Sequence, residues 1–225
     1  SRLLLQDTPP RSIAIGYQHG FNAVFNSVNL TPLYVWQGGF INDKNETNGR
    51  GGGACSIGGA RVQLGLPIAP LRINDAKTMP ETIAFKGYDR PVGKPPVFHA
   101  EIDQLPVSFT IASESGHLVR LRYEFSQPLE HPAYFLTGMR PVDQIAIDKP
   151  LSWKDGIVTI PQGQKSFTIQ LNLTGEKGVV VKAKKLSGKE LYAAHCSACH
   201  SLTGQKLIGP SFKALFGKKE TVLSG

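Results

Sequence analysis

Cysteine and methionine are scarce. The 225 residues hold 3 Cys and 2 Met. Three cysteines are too few for a disulfide scaffold. The methionines are Met79 and Met139, so none opens the chain and none follows residue 139. No run of 18 uncharged apolar residues occurs, which excludes a membrane-spanning helix by sequence. No charged-then-apolar leader precedes the first elements. With Ser1 at the front and an abrupt stop at Gly225, the expectation is a chain processed, trimmed or cloned short. What is abundant points elsewhere. Gly (24) and Pro (16) are frequent enough to exclude a helix bundle and to favour short strands joined by turns. At 40% hydrophobic residues the chain can build a core, so whole-chain disorder is excluded. The length fits one large all-β domain or two ordinary domains.

From Ser12 to about Val181 the chain reads as a succession of short strands. The expected strands are 12–17, 22–26, 33–37, 82–85, 97–102, 107–112, 117–125, 133–136, 157–160, 166–173 and 179–182. Alternation is clean in the longest of them. Val119, Leu121, Tyr123 and Phe125 oppose Leu118, Arg120, Arg122 and Glu124. Phe167, Ile169, Leu171 and Leu173 alternate with Thr168, Gln170 and Asn172. A period of two is the mark of a half-buried antiparallel strand. Turn signals separate the runs, such as Lys154-Asp155-Gly156 and Pro161-Gln162-Gly163. The predicted fold is mainly β: an antiparallel β-sandwich over residues 1–183. Residues 38–80, rich in Gly and Pro, read as a long loop or insertion.

The texture changes near Lys184, where a second domain over 184–225 is expected. Ser187 with Glu190 three residues on forms a capping box ahead of a short helical run. That run leads into Cys196-Ser197-Ala198-Cys199-His200, a C-x-x-C-H sequence. This spacing attaches c-type haem. Two thiols one turn apart reach the two vinyl groups of a single porphyrin, and the next residue, His200, lies under the iron. A redox dithiol or a partial zinc site is the blander reading of the same residues. Zinc would need further ligands at sensible spacing, and Cys55 lies far away in a Gly-rich stretch.

Nine residues beyond His200 comes Gly209-Pro210-Ser211-Phe212-Lys213-Ala214-Leu215-Phe216-Gly217. With the C-x-x-C-H sequence, this resembles a class I monohaem cytochrome c over about forty residues. Tyr192, Cys196, Cys199, His200, Gly209, Pro210, Leu215, Phe216 and Gly217 match that family in order and approximate spacing. The resemblance implies haem c bound covalently through Cys196 and Cys199, with His200 as the axial iron ligand. It also implies that the Pro210 carbonyl accepts a hydrogen bond from His200. Gly209, Tyr192, Leu215 and Phe216 would surround that centre. The family supplies a sixth ligand downstream, usually Met, and a closing C-terminal helix. Neither follows here, so the second domain is expected to be a partial, α-helical cytochrome c domain. His195, His131, His99, Met139 and Met79 stand as substitutes for the sixth ligand.

The first domain resembles, in a few phrases, β-rich modules that accompany cytochrome c domains in large secreted bacterial redox proteins. Those phrases are residues 11–16, 35–40 and 49–53. The implied function is electron transfer, relaying single electrons to or from a redox partner, by a carrier rather than a catalyst. The alternative is an accessory subunit of an extracytoplasmic oxidoreductase, its β domain docking a carbohydrate or dehydrogenase partner. Family resemblance places either outside the cytoplasm, periplasmic or extracellular, in a bacterium.

Other features read blandly. Trp36 beside Gly38 and Gly39 is core before it is a sugar platform. Cys55 is a thiol without a role, and His99 a packed or surface histidine. Gly49 to Gly53 lacks the Gly-Lys-Ser/Thr ending of a phosphate loop. Asn45-Glu46-Thr47 is a glycosylation sequon expected to be unused. The net charge of +8 is concentrated: residues 182–225 carry +6 and the other 181 residues +2. A lysine rim of that kind steers an acidic docking face on a redox partner. No basic stripe with interleaved aromatics suggests nucleic acid.

Overall fold

The computed structural model describes residues 5–17, 19–44, 54–113, 117–178, 188–189, 192, 196–197 and 200–215. The chain divides into two compact units, Ser1–Lys182 and Ala183–Gly225. The fold is mainly β, and its sheets are antiparallel. In chain order the strands are β1 (Ser12–Gly16), β2 (Phe21–Asn26), β3 (Thr31–Gln37), β4 (Gly39–Asn42), β5 (Ser56–Gly58), β6 (Arg61–Gln63), β7 (Leu71–Ile73) and β8 (Ile83–Asp89). They continue with β9 (Val97–Ile102), β10 (Leu105–Ser113), β11 (Leu118–Phe125), β12 (Ala133–Leu136), β13 (Ile145–Ile147), β14 (Ser152–Lys154), β15 (Ile157–Ile160) and β16 (Ser166–Asn172).

Three sheets share one apolar core. Their strand orders are β1-β2-β3-β6, β13-β16-β11-β10-β9-β8 and β14-β15-β12-β7. The alternating strands bury one face each, as in β11, where Val119, Leu121, Tyr123 and Phe125 are buried. Aromatic rings join the sheets at the centre. Phe25 of β2 meets Phe98 of β9 at 4.7 Å and Phe109 of β10 at 5.3 Å, both edge-on. Phe135 of β12 meets Tyr123 at 5.5 Å and Phe167 of β16 at 6.2 Å. Such pairs add about 0.5–1.5 kcal/mol each beyond their buried area.

The segment from 38 to 80 departs from the expected long loop. Among the described residues it holds four short strands, β4 to β7, which the Gly and Pro content concealed. Strands of three or four residues carry too little alternation to register as a period. β4 and β5 form a separate ribbon. Ile41 and Ile57 on that ribbon pack against Val24, Tyr34, Trp36 and Cys55. The ribbon therefore helps cover the second face of the β1-β2-β3-β6 sheet, and all six residues of β2 are buried. The polar ones are satisfied: Asn22 donates to the carbonyls of Gly20 at 3.0 Å and Gly38 at 3.1 Å. The short strands β13 and β14 were likewise not expected from sequence. The expected strand at 179–182 lies outside the described residues.

Two arginines hold irregular backbone in place. Arg140 donates to the Leu64 carbonyl from Nη2 at 2.7 Å and to Glu176 Oε1 from Nη1 at 2.9 Å. Buried Arg72 donates from Nε to the Ala69 carbonyl at 2.9 Å. A guanidinium satisfies several carbonyls at once, which suits chain that has no ladder of its own.

One buried group is left over. The Tyr123 hydroxyl has no hydrogen-bond partner among the described residues, and its side chain is 1% exposed. Burial pushes its ionisation well above the ordinary phenol range. Removing an unpaired buried hydroxyl recovers its desolvation cost. Tyr123→Phe is therefore expected to stabilise the first unit by about 1 kcal/mol in urea denaturation. A loss of similar size would show that the hydroxyl is bonded after all.

Candidate functional site

The candidate centre lies in the second unit, around His200. Gly188, Lys189 and Tyr192 are helical there. The capping-box residues Ser187 and Glu190 lie outside the described residues. The Cys196 N–H donates to the Tyr192 carbonyl at 2.9 Å, and the His200 N–H donates to the Cys196 carbonyl at 2.9 Å. Both bonds span four residues, the step of a helical turn. The Cys196 thiol is free and half-buried, and His200 is likewise half-buried. Cys199 lies outside the described residues, and so does His195.

The chain after His200 loops out and returns. Ser201 and the 211–212 pair close it. The Phe212 N–H donates to the Ser201 carbonyl at 2.8 Å, and Ser211 Oγ donates to the same carbonyl at 3.0 Å. Ser211 Oγ accepts in turn from the N–H groups of Gly204 at 3.0 Å and Lys213 at 3.1 Å. Ser201 Oγ donates to the Gln205 carbonyl. These bonds bring residues 209–212 back against the imidazole.

His200 Nδ1 lies 2.7 Å from the Pro210 carbonyl oxygen. A carbonyl can only accept, so Nδ1 must carry the hydrogen. Nε2 of a neutral ring is then the bare nitrogen, with its lone pair free for a metal. Gly209 approaches the same ring. A Cβ at that position would sit 2.4 Å from Cε1 and 2.8 Å from Nδ1. Only glycine fits, for reasons of space and not of backbone angle. Phe212 stacks on the imidazole, centroids 4.3 Å apart and planes 18° from parallel. Tyr192 Oη donates to the His200 carbonyl at 2.6 Å, and its ring meets Phe212 at 6.2 Å.

Gly209→Ala is expected to expel the imidazole from this seat. The Cβ is too close by roughly half an ångström or more for any relaxed contact. In nitrogen NMR of the unloaded chain, the Nδ1-protonated form of His200 should dominate in wild type. It should give way to a tautomer mixture in the variant, and unchanged spectra would refute the seat.

Of the residues singled out by sequence, Tyr192, Cys196, His200, Gly209 and Pro210 come together. Leu215 is joined to Phe212 by its N–H, which donates to the Phe212 carbonyl at 3.2 Å, and its side chain is largely exposed. Phe216 and Gly217 lie outside the described residues. Sequence reasoning missed Phe212, Ser201 and Ser211. Their roles arise only when the loop returns onto Ser201 and His200, so the sequence around them carries no local signal.

Of the substitutes for a sixth ligand, His131, His99, Met139 and Met79 belong to the first unit. His99 Nε2 is engaged with Asp89 Oδ2 at 2.9 Å. Met139 is fully exposed. Trp36 is 2% exposed, and its indole N–H donates to the Gly39 carbonyl at 2.9 Å. It is a core residue and offers no sugar-stacking face. Cys55 is fully buried. Among the described residues, no helix is long and apolar enough to cross a membrane.

No family model matches the chain, and no curated protein or solved structure is significantly similar to it.

Proposed function

We propose that the chain is an exported electron carrier that binds haem c covalently through Cys196 and Cys199, with His200 Nε2 on the iron. The observation that carries this reading is the Pro210 carbonyl at 2.7 Å from Nδ1. It commits the ring to the tautomer that presents Nε2. The C-x-x-C-H spacing supports the same reading, since a bare dithiol needs no histidine aimed and held in this way. Exposed apolar side chains around the centre also support it. Leu202, Leu207, Ile208 and Leu215 are 55%, 41%, 83% and 54% exposed. Exposed apolar side chains in one short stretch are available to an apolar group such as a porphyrin.

When bound, haem supplies the one-electron couple of its iron. The chain's own residues do the rest. Cys196 and Cys199 tether the group, the Pro210 carbonyl keeps the proton on Nδ1, and Gly209 leaves room for the ring. Tyr192 fastens the backbone at His200. Lys189, Lys206 and Lys213 are exposed and supply positive charge, which suits a redox partner with an acidic docking face. The proposed architecture is an antiparallel β-sandwich followed by a partial cytochrome c domain. Covalent haem attachment takes place outside the cytoplasm, and the location we propose from the family resemblance is the periplasm or exterior of a bacterial cell.

The test is maturation. The 225-residue chain made together with cytochrome c assembly factors should show a Soret band and a mass increase of one haem. A chain that carries neither, although a control cytochrome matures in the same cells, would sink the proposal.

A further inference from the structure

We propose that Phe212 is a positioning residue for His200, its stacked ring fixing the tilt of the imidazole and favouring positive charge on it. The inference rests on the haem reading above and deepens it.

The Pro210 carbonyl holds the imidazole at one atom, Nδ1. A single hydrogen bond leaves the ring free to tilt about that contact. A second ring lying nearly parallel to it, 4.3 Å away, removes that freedom. Phe212 is itself fastened next to the ligand. Its N–H donates at 2.8 Å to the carbonyl of Ser201, the residue directly after His200. Its ring also meets Tyr192, whose hydroxyl donates at 2.6 Å to the carbonyl of His200. The imidazole, the phenyl ring and the tyrosine therefore form a closed set, each tied to another member or to the backbone beside it. Leucine could fill similar volume but could not stack.

The stack also bears on charge. An imidazole that coordinates a metal becomes more positive, and more so when the metal is oxidised. The negative face of an aromatic ring stabilises that charge. Phe212 should therefore favour the oxidised state and hold the reduction potential down. The protein chain itself sets this bias, independently of the identity of the sixth ligand.

The test uses the full chain with Phe212→Leu and Phe212→Tyr, in unloaded and haem-loaded forms. In the unloaded chain, the His200 ring protons should be shifted upfield by the phenyl ring current in wild type and in Phe212→Tyr. Phe212→Leu should lose that shift. In the loaded protein, the reduction potential should rise in Phe212→Leu and return to the wild-type value in Phe212→Tyr. If the leucine variant does not fold, Phe212→Met replaces it. Identical His200 shifts in wild type and leucine variant would overturn the proposal, as would a potential that moves equally in both variants. Should the wild-type chain take no haem at all, the electron-transfer reading falls. The ring-current measurement then still decides whether Phe212 holds the ring.

Discussion

On the proposed reading, replacing Cys196 and Cys199 together by alanine should abolish covalent haem, and the c-type pyridine haemochrome signal should disappear with it. The argument is local. Each thioether needs one thiol, and no other cysteine stands near this centre in sequence, since Cys55 is fully buried in the first unit. The bond that shapes the turn uses the Cys196 carbonyl, which accepts from the His200 N–H at 2.9 Å. Alanine retains that carbonyl. The Pro210 contact to Nδ1 is likewise independent of either thiol. The double variant should therefore keep the His200 seat in the unloaded chain while losing the covalent link. Single variants should keep one thioether each, with a haemochrome band displaced from the two-thioether position. A double variant that still carries haem through acid and organic extraction would refute attachment at these residues. Loss of the Nδ1-protonated His200 signal in the same variant would show instead that the cysteines build the turn.

Phe25→Ala should destabilise the first unit by about 4 kcal/mol, within the usual range for phenylalanine truncation in a core. Phe25 is fully buried. It reaches from β2 to Phe98 and Phe109 in the facing strands and also meets Phe85 of β8 at 6.0 Å. Truncation removes ring contacts on both sides of a sheet-to-sheet contact, where β2 is also clamped by the β4–β5 ribbon. The surroundings can collapse only a little, so most of the space remains open. A domain of this kind has about 5–15 kcal/mol in total, so the variant should approach the threshold of folding. Denaturant titration should show a lower midpoint with an unchanged slope. A loss below about 1 kcal/mol would mean that Phe25 does not join these sheets.

How much of this was legible beforehand depended on range. The strands at 97–102, 133–136 and 157–160 emerge with the bounds read from the sequence. Others differ by one to four residues at an end, the ordinary ambiguity of fraying termini. In the longest of them the signal was period-two alternation, which a strand carries within itself. β2 carried none, because Phe-Asn-Ala-Val-Phe-Asn is buried on both faces. β4 to β7 were missed because a three-residue strand exists only through its partner. β6 pairs with β3 through Tyr34↔Gln63, Val35↔Val62 and Trp36↔Arg61, and nothing in Arg61–Gln63 announces it.

The candidate site divided along the same line. Cys196 and His200 follow from the C-x-x-C-H spacing, while Tyr192 came in with the family resemblance. Gly209 and Pro210 were drawn in by resemblance, and their contact with His200 closes a loop of ten residues. The stacking of Phe212 was not readable. An aromatic two residues past Gly-Pro has many possible neighbours, and only the return of the loop onto Ser201 selects the imidazole.

The sequence by itself determined what is encoded within a few bonds: the alternation of the long strands, the turns between them, and the placement of two thiols beside a histidine. Tertiary structure alone decided which sheets share a core, which face of β2 meets the ribbon, and which ring covers His200. The reason is that short-range patterns express the geometry of one strand or one turn. Long-range contacts are chosen by the entropy of closing a loop against the burial gained when it closes, and no single stretch of residues carries both terms.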